Sequence, residues 1–332
     1  MIVSVTIPCR NEKPYIQECI QAIYNSDLPD NCELYVHVVD GMSDDGTIDK
    51  VQELNSNYPQ VKLVPNPKRV TPVALNLGIE NASGDYILIA SAHSSFDKGY
   101  ISTLVKKIQS LENAIAVGGV MRTEVKNETP ISLAIKAILA HRFGVGNAMF
   151  RIGTDADLKV DTVPFGLYRA DLLKAAGGYD IRLIRNHDIE LSKRLLRDGG
   201  NIYLTPVAQC TYYAREKFGA LAKNNYNNGK WNILTVFITK NFSSLSIRHF
   251  IPLIFLMSLI LPLVAGLIWC PLSYLSAISL ITYTIAVTYF ATTSVPKGTT
   301  IFHMIYGFFV LHLAYGLGSL LGLLILPKFA LK

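Results

Sequence analysis

The first 120 residues alternate between short continuous apolar runs and longer stretches in which apolar side chains recur every three or four positions. Residues 3–8, 34–39, 61–64, 86–90 and 114–120 are the continuous runs, and they read as strands buried on both faces. Residues 12–24, 47–54, 72–81 and 99–111 carry helical spacing. In the first of these Tyr15, Cys19, Ala22 and Ile23 share a face, and Pro72 opens the third. Strands alternating with helices predict an α/β fold with βαβ units and a mainly parallel sheet. In such sheets ligands bind beyond the carboxyl ends of the strands. Past residue 129 the pattern loosens. Residues 131–142 read as a mostly apolar helix, 161–168 as a strand leading to the turn Gly177-Gly178-Tyr179-Asp180, and 189–197 as a helix.

The pattern changes again near the C-terminus. Residues 251–270 form a 20-residue run without a charge, 272–290 are nearly as long, and 301–326 are interrupted only by His303 and His312. A helix needs about 20 apolar residues to cross a bilayer. Three spans are expected, or two if the more polar middle run does not cross. The expected domains are a cytoplasmic domain over 1–228, an interfacial helix or linker over 229–248, and a membrane domain over 249–332.

Charge sharpens this division. The chain carries 31 Lys and Arg against 25 Asp and Glu, but residues 217–332 hold eight of those cations and no acid. The basic excess therefore suits an anionic membrane surface and is no argument for nucleic acid. The start, MIVSVTIPCRNE, has no basic segment leading into a long apolar stretch, so no signal peptide is expected. Lys230, Lys240 and Arg248 precede the first apolar run, and Lys297 lies between the second and third. The positive-inside rule puts both loops in the cytoplasm, although Lys328 and Lys332 would then fall outside, against the rule. Five cysteines without a CxxC pair suggest reduced thiols, not disulfides or a zinc site.

Candidate chemistry gathers at the predicted strand ends. Asp40 ends the second strand and is followed by Gly41 and the polar run from Ser43 to Thr47; it suits a ribose or base contact, and equally well a simple turn. Pro8, Arg10, Asn11 and Glu12 follow the first strand, where a helix start suits an anion or plain capping. Lys68 and Arg69, with Asn76 further on, suit a diphosphate or a solvated basic loop. The fourth strand runs into Ser91-Ala92-His93. Asp188 and Glu190 open the 189–197 helix, as a general base or as capping residues. Tyr226, Lys230 and Trp231 lie in the basic segment before the first apolar run, where they suit seating the chain on a bilayer.

Taken in order, Val3 to Pro8 with Asn11-Glu12, the string from Val38 to Thr47, Ala74 to Ile79 and Gly84 to Ile87 resemble the family 2 glycosyltransferases, nucleotide-sugar-dependent enzymes of GT-A fold. The resemblance covers about the first 240 residues. It is closest to the membrane-anchored branch that includes the succinoglycan-biosynthesis transferases, through His141 to Gly146, Val160 to Gly166, Arg185 to Leu191 and Ile202 to Pro206. It implies a metal on the sugar nucleotide at the end of the fourth strand, where the family has Asp-x-Asp and this chain has Ser91 and His93. His93 would be the protein ligand, and imidazole favours Mn2+ over Mg2+. It further implies a nucleotide contact at Asp40 and Asp188 as catalytic base; Pro8, Arg10, Asn11, Glu12, Lys68, Arg69, Asn76, Ser91 and Ala92 are the other expected nucleotide-sugar contacts, and Glu190, Tyr226, Lys230 and Trp231 the expected acceptor contacts.

The expected activity is inverting transfer of a sugar from a UDP-linked donor to a lipid-linked, polyprenyl-diphosphate type acceptor in exopolysaccharide or cell-surface glycan synthesis. The expected location is a bacterial plasma membrane, with the catalytic domain in the cytoplasm. The alternative is a catalytically impaired membrane scaffold of a polysaccharide-synthesis complex, because Ser91 replaces an aspartate.

Overall fold

The computed structural model describes residues 1–330, which fall into two units. One unit comprises Met1–Arg122 and Met149–Tyr213; the other comprises Thr123–Ala148 and the chain from Ala214 on. The chain begins with β1 (Ile2–Cys9), α1 (Ile16–Tyr24), β2 (Glu33–Asp40), α2 (Thr47–Asn57), β3 (Val61–Pro65) and α3 (Thr71–Asn81). It continues with β4 (Tyr86–Ile89), β5 (Ser94–Phe96), α4 (Tyr100–Ser110), β6 (Ala114–Glu124), α5 (Pro130–Leu139), α6 (Arg142–Val145) and α7 (Met149–Ile152). Then come β7 (Leu158–Lys159), β8 (Leu167–Arg169), α8 (Ala170–Ala175), α9 (His187–Arg197), β9 (Asn201–Tyr213) and α10 (Phe218–Thr239). The last helices are α11 (Ile251–Ala265), α12 (Ser273–Ser294) and α13 (Ile301–Ala330).

The first unit is a sheet between two helical layers. Strand order is β3-β2-β1-β4-β8-β6-β9-β5, with β7 paired to β9. β1 runs parallel to β2 from Ile2–Glu33 to Cys9–Asp40, and parallel to β4 from Val3–Tyr86 to Thr6–Ile89. β2 and β3 are also parallel. This half is the one the strand–helix alternation predicts. The other half corrects the expectation of a mainly parallel sheet: β8 is antiparallel to β4 and β6, and β9 is antiparallel to β5 and β7. Helices α4 and α9 lead into β6 and β9, yet these strands pair antiparallel with their neighbours, so the sheet is mixed.

Val3, Val5 and Ile7 of β1 pack with Ile16 and Ile20 of α1 and Leu104 and Ile108 of α4 on one side of the sheet. Leu75 and Ile79 of α3 pack with Leu191 and Leu195 of α9 and Ile87 of β4 on the other. Each fully buried Ile contributes about 2–3 kcal/mol relative to exposure. Two elements escape the sequence pattern. β9 covers 13 residues where only local motifs stood out, and α10 is one 22-residue helix where only its apolar second half drew notice.

The second unit is helical. α10 runs alongside α13 in the same direction: Phe218 meets Tyr306 at 5.0 Å, and Gly318 and Gly322 abut the Tyr226 and Lys230 carbonyls. A Cβ on Gly229 would lie 1.9 Å from the Tyr315 carbonyl oxygen, so the two backbones touch. Small residues permit such contact, and polar side chains lock it. Asn232 donates to the Tyr315 hydroxyl (2.6 Å) and to the His249 carbonyl (2.9 Å), and Ser319 donates to the Gly229 carbonyl (3.1 Å). Trp231 therefore lies inside a packed helix, and the chain returns through short turns at Phe242–Ser244 and Ile247–His249.

α5 is capped by Thr129 and Ser132 in a reciprocal pair. Phe143 of α6 is surrounded by Tyr283, Phe290, Phe308 and His312. Two helical stretches, Cys270–Ser294 and Ile301–Leu326, are long and apolar enough to be candidate membrane spans. The first apolar run forms only the 15-residue α11, with Pro262 inside it. At 1.5 Å per residue it is about 22 Å long, short of a bilayer core of about 30 Å. Lys332 lies outside the described residues, as does the side chain of Lys328.

Candidate functional site

The carboxyl ends of β1, β2 and β4 lie side by side, because these strands pair in register. Asp40 closes β2 and is 2% exposed. Its carboxylate accepts from the Ser43 amide at 2.9 Å and from the Ser43 hydroxyl, so it shapes its own loop. The loop after β3 hangs on the same residue, since the Asn66 amide donates to the Asp40 carbonyl at 2.7 Å. That loop carries Lys68 and Arg69, both exposed, and holds Arg69 at φ +56°. Arg10 is exposed and lays its stem against Gly41.

Asn11 joins the first two strand ends. Its amide nitrogen donates to the Asp44 carboxylate (2.9 Å), its Oδ1 accepts from the Asp44 amide (3.0 Å), and its backbone N–H donates to the Ser43 hydroxyl (2.8 Å). The Glu12 and Lys13 amides donate to Thr47 and Asp45. The Thr47 hydroxyl, helped by backbone amides, holds the Asp45 carboxyl below its ordinary value. Asn11 and Met42 both take positive φ, 56° and 59°, so both loops pay backbone strain to keep this shape.

The third strand end closes the rim. Ser91 caps the turn after β4: its carbonyl accepts from the Ser94 hydroxyl (2.6 Å) and the Cys19 thiol (3.3 Å). Ala92 is buried, and His93 projects outward. His93 Nε2 lies 2.8 and 2.7 Å from the two Glu12 oxygens, and its ring packs against Tyr15 at 4.4 Å. The pair presents one nitrogen and one carboxylate oxygen side by side. At this spacing the two are hydrogen-bonded to each other, so a divalent cation would take both groups as ligands only by replacing that direct contact. Among the described residues no three His, Cys, Asp or Glu gather, so an ion here needs further oxygens from a diphosphate or water.

Asp188 lies in the first turn of α9, exposed, behind Asn186 at φ +61°. Its charge reaches Tyr168 of β8, the strand beside β4, and Tyr179. Burial raises both phenols, and Asp188 adds to the shift in each. Burial lowers His187, with Asp188 opposing. Glu190 faces inward and meets Arg194 through both oxygens, at 3.0 and 2.9 Å. Asn76 uses its whole amide on the Tyr179 backbone, donating to its carbonyl (2.8 Å) and accepting from its N–H (2.7 Å), which holds the turn before α9. The structure thus brings together Pro8, Arg10, Asn11, Glu12, Asp40, Ser91, Ala92 and His93. Asn76 and Glu190 direct their polar groups within the protein, to Tyr179 and Arg194, and Tyr226, Lys230 and Trp231 lie on α10 in the other unit.

The sequence model described as glycosyl transferase family 2 matches residues 4–175, half of the chain and every strand end of this rim. The chain belongs to glycosyl transferase family 2. It is a glycosyltransferase. This family 2 enzyme is 27% identical over 253 residues to the dolichyl N-acetyl-alpha-D-glucosaminyl phosphate 3-beta-D-2,3-diacetamido-2,3-dideoxy-beta-D-glucuronosyltransferase of Methanococcus voltae, covering 71% of this chain and 77% of that protein. It is 29% identical over 231 residues to succinoglycan biosynthesis protein ExoA of Rhizobium meliloti (strain 1021), covering 68% and 67%. In fold the transferase is similar to mannosyltransferase PcManGT from Pyrobaculum calidifontis, solved with GDP-Man and Mn2+, at a TM-score of 0.62 and 18% identity over 96% of this chain and 86% of that one. The fold is GT-A. Tyr15 was not legible as a rim residue of this glycosyltransferase, because its spacing reads as part of the apolar face of α1. The tie between Asn11 and Asp44 spans 33 residues and leaves no periodic signal.

Proposed function

We propose that this transferase moves a sugar, with inversion, from a UDP-linked donor to a lipid-linked acceptor in exopolysaccharide or cell-surface glycan synthesis. The observation that carries the reading is the rim itself: Asn11, Asp40 and the Glu12–His93 pair draw three strand ends into one ligand-facing edge. The two named relatives act in a dolichyl-linked and a succinoglycan pathway, which supports a lipid-linked acceptor.

In this reading Asp188 takes the proton of the acceptor hydroxyl as its oxygen attacks the anomeric carbon. The bond from that carbon to the diphosphate breaks, and the electron pair leaves with the nucleotide. Arg10, Lys68 and Arg69 approach the leaving charge from the loops after β1 and β3. His93, with Glu12 beside it, would hold a divalent ion, which supplies positive charge to the diphosphate; the imidazole nitrogen favours Mn2+.

The chemistry would lie within residues 1–228, on the cytoplasmic side, with residues 249–332 in a bacterial plasma membrane. The exposed apolar side chains of Leu267, Ile268, Ile278, Ile281 and Ile285 support a lipid environment for those helices. Asp188→Asn should lower turnover by about 10²–10⁴, the span of general-base catalysis, with UDP affinity unchanged. Ser91 in place of an aspartate favours the scaffold reading. Donor turnover by wild-type protein with Mn2+ and lipid extract decides between them, and absence of turnover in both proteins would leave the scaffold.

A further inference from the structure

Residues 217–332 carry eight cations and no Asp or Glu, and Arg248 stands in that stretch, just before the first apolar helix. Its side chain reaches an amide: Nη1 donates to Asn147 Oδ1 at 2.9 Å. Asn147 follows Gly146, which sits at φ +64°. A Cβ on Gly146 would stand 3.1 Å from Arg248 Cβ and 3.4 Å from its Cδ, so the arginine stem lies along this bare turn. The Gly146 amide donates to the Arg142 carbonyl at 2.8 Å, which places exposed Arg142 one helical turn away. Phe143, packed among Tyr283, Phe290 and Phe308, anchors the turn to α12 and α13. Next to Arg248, the His249 carbonyl is fixed by Asn232, which also holds the Tyr315 hydroxyl.

Two arginines and an amide therefore lie on or beside one turn. Guanidinium forks match the oxygens of phosphate and diphosphate groups. Beside them Ile247, Ile251 and Ile254 are 81%, 55% and 62% exposed. Their spacing of four and three residues puts them on one side, an apolar strip that starts at the cations. A ligand with an anionic head and an apolar tail matches both features.

We propose that Arg142, Asn147 and Arg248 bind the phosphate or diphosphate head of a polyprenyl lipid, whose chain lies along Ile247, Ile251 and Ile254. The proposal rests on the lipid-linked-acceptor reading and names the group on the acceptor that this chain grips. Full-length protein in neutral detergent is titrated calorimetrically with farnesyl diphosphate, inorganic pyrophosphate and UDP. Farnesyl diphosphate binds wild type, and Arg248→Gln and Arg142→Gln each weaken it by about 10- to 100-fold, the value of a charge-assisted contact. UDP binding is unchanged in both variants. Ile251→Asn weakens farnesyl diphosphate and leaves pyrophosphate binding as it was. Asn147→Ala, at an exposed position, also weakens farnesyl diphosphate and guards against misfolding of the arginine variants. Unchanged farnesyl diphosphate affinity in a folded Arg142→Gln/Arg248→Gln double variant overturns the site. Displacement by an equal concentration of phosphatidylglycerol overturns the polyprenyl assignment in favour of bulk anionic lipid. Failure of sugar transfer in wild type with this binding intact strikes the transfer reading alone.

Discussion

Glu190 offers a direct way to separate a structural carboxylate from a catalytic one. It lies one turn into α9, 5% exposed, and both of its oxygens meet Arg194. The same guanidinium donates to the Gly178 carbonyl at 2.8 Å and to the Ala176 carbonyl. The carboxylate thus fixes an arginine that ties down the turn after α8. Glu190→Ala removes one partner of this pair. Breaking a buried pair costs about 3–5 kcal/mol. The Arg194 side chain keeps 26% exposure, so water can take up part of its charge, and the lower end, about 3 kcal/mol, is expected. In a unit of roughly 190 residues each kcal/mol moves the melting midpoint by about 2–4 °C, which gives a fall of about 6–12 °C. Thermal unfolding of the detergent-solubilised full chain measures it. Arg194→Ala and the double variant complete a cycle in which the two losses should not add. If Glu190 instead touched the acceptor, the acceptor KM would rise at an unchanged midpoint. A midpoint within about 2 °C of wild type would refute the structural assignment.

His37 lies in β2 with neither ring nitrogen hydrogen-bonded, and burial, with Lys62 nearby, holds it below the ordinary histidine value. A lowered folded pKa gives stability that is present above the unfolded value of about 6.5 and is lost as pH falls through the folded one. The melting midpoint should therefore drop between neutral and mildly acidic pH, and His37→Leu should flatten that slope in a pH series. Gly229→Leu sets a side chain where the Tyr315 carbonyl already stands, and backbone cannot move aside as a side chain can. α10 should separate from α13 and lose about 1–3 kcal/mol or more, seen as faster tryptic cutting at Lys223 and Lys230.

The parallel half of the sheet was legible because β1, β2 and β4 are buried on both faces and consist of unbroken apolar runs. β9 was not, since Thr205, Pro206, Gln209 and Thr211 interrupt its pattern, and its partners lie far away in sequence. α10 was hidden by Asn224, Asn225, Asn227, Asn228 and Gly229, residues that weaken an isolated helix. Here they are favoured by tertiary contact: Gly229 lets α13 approach, and Asn232 finds a hydroxyl and a carbonyl there. At the rim, Asp40, Asn11 and His93 stood out because polar residues directly follow buried strands. The engagement of Asn76 with Tyr179 crosses 103 residues, and no local signal carries it.

The chain passes from one unit to the other after Arg122, Ala148 and Tyr213, so the covalent thread crosses three times. A truncation at residue 228 would therefore not release a self-contained soluble enzyme. It would keep α5 and α6 while discarding the rings that enclose Phe143, and would send a sticky aromatic hairpin into water. Shortening the protein for work without detergent calls for excising residues 123–148 along with the C-terminal helices, and rejoining Arg122 to Met149 through a polar loop.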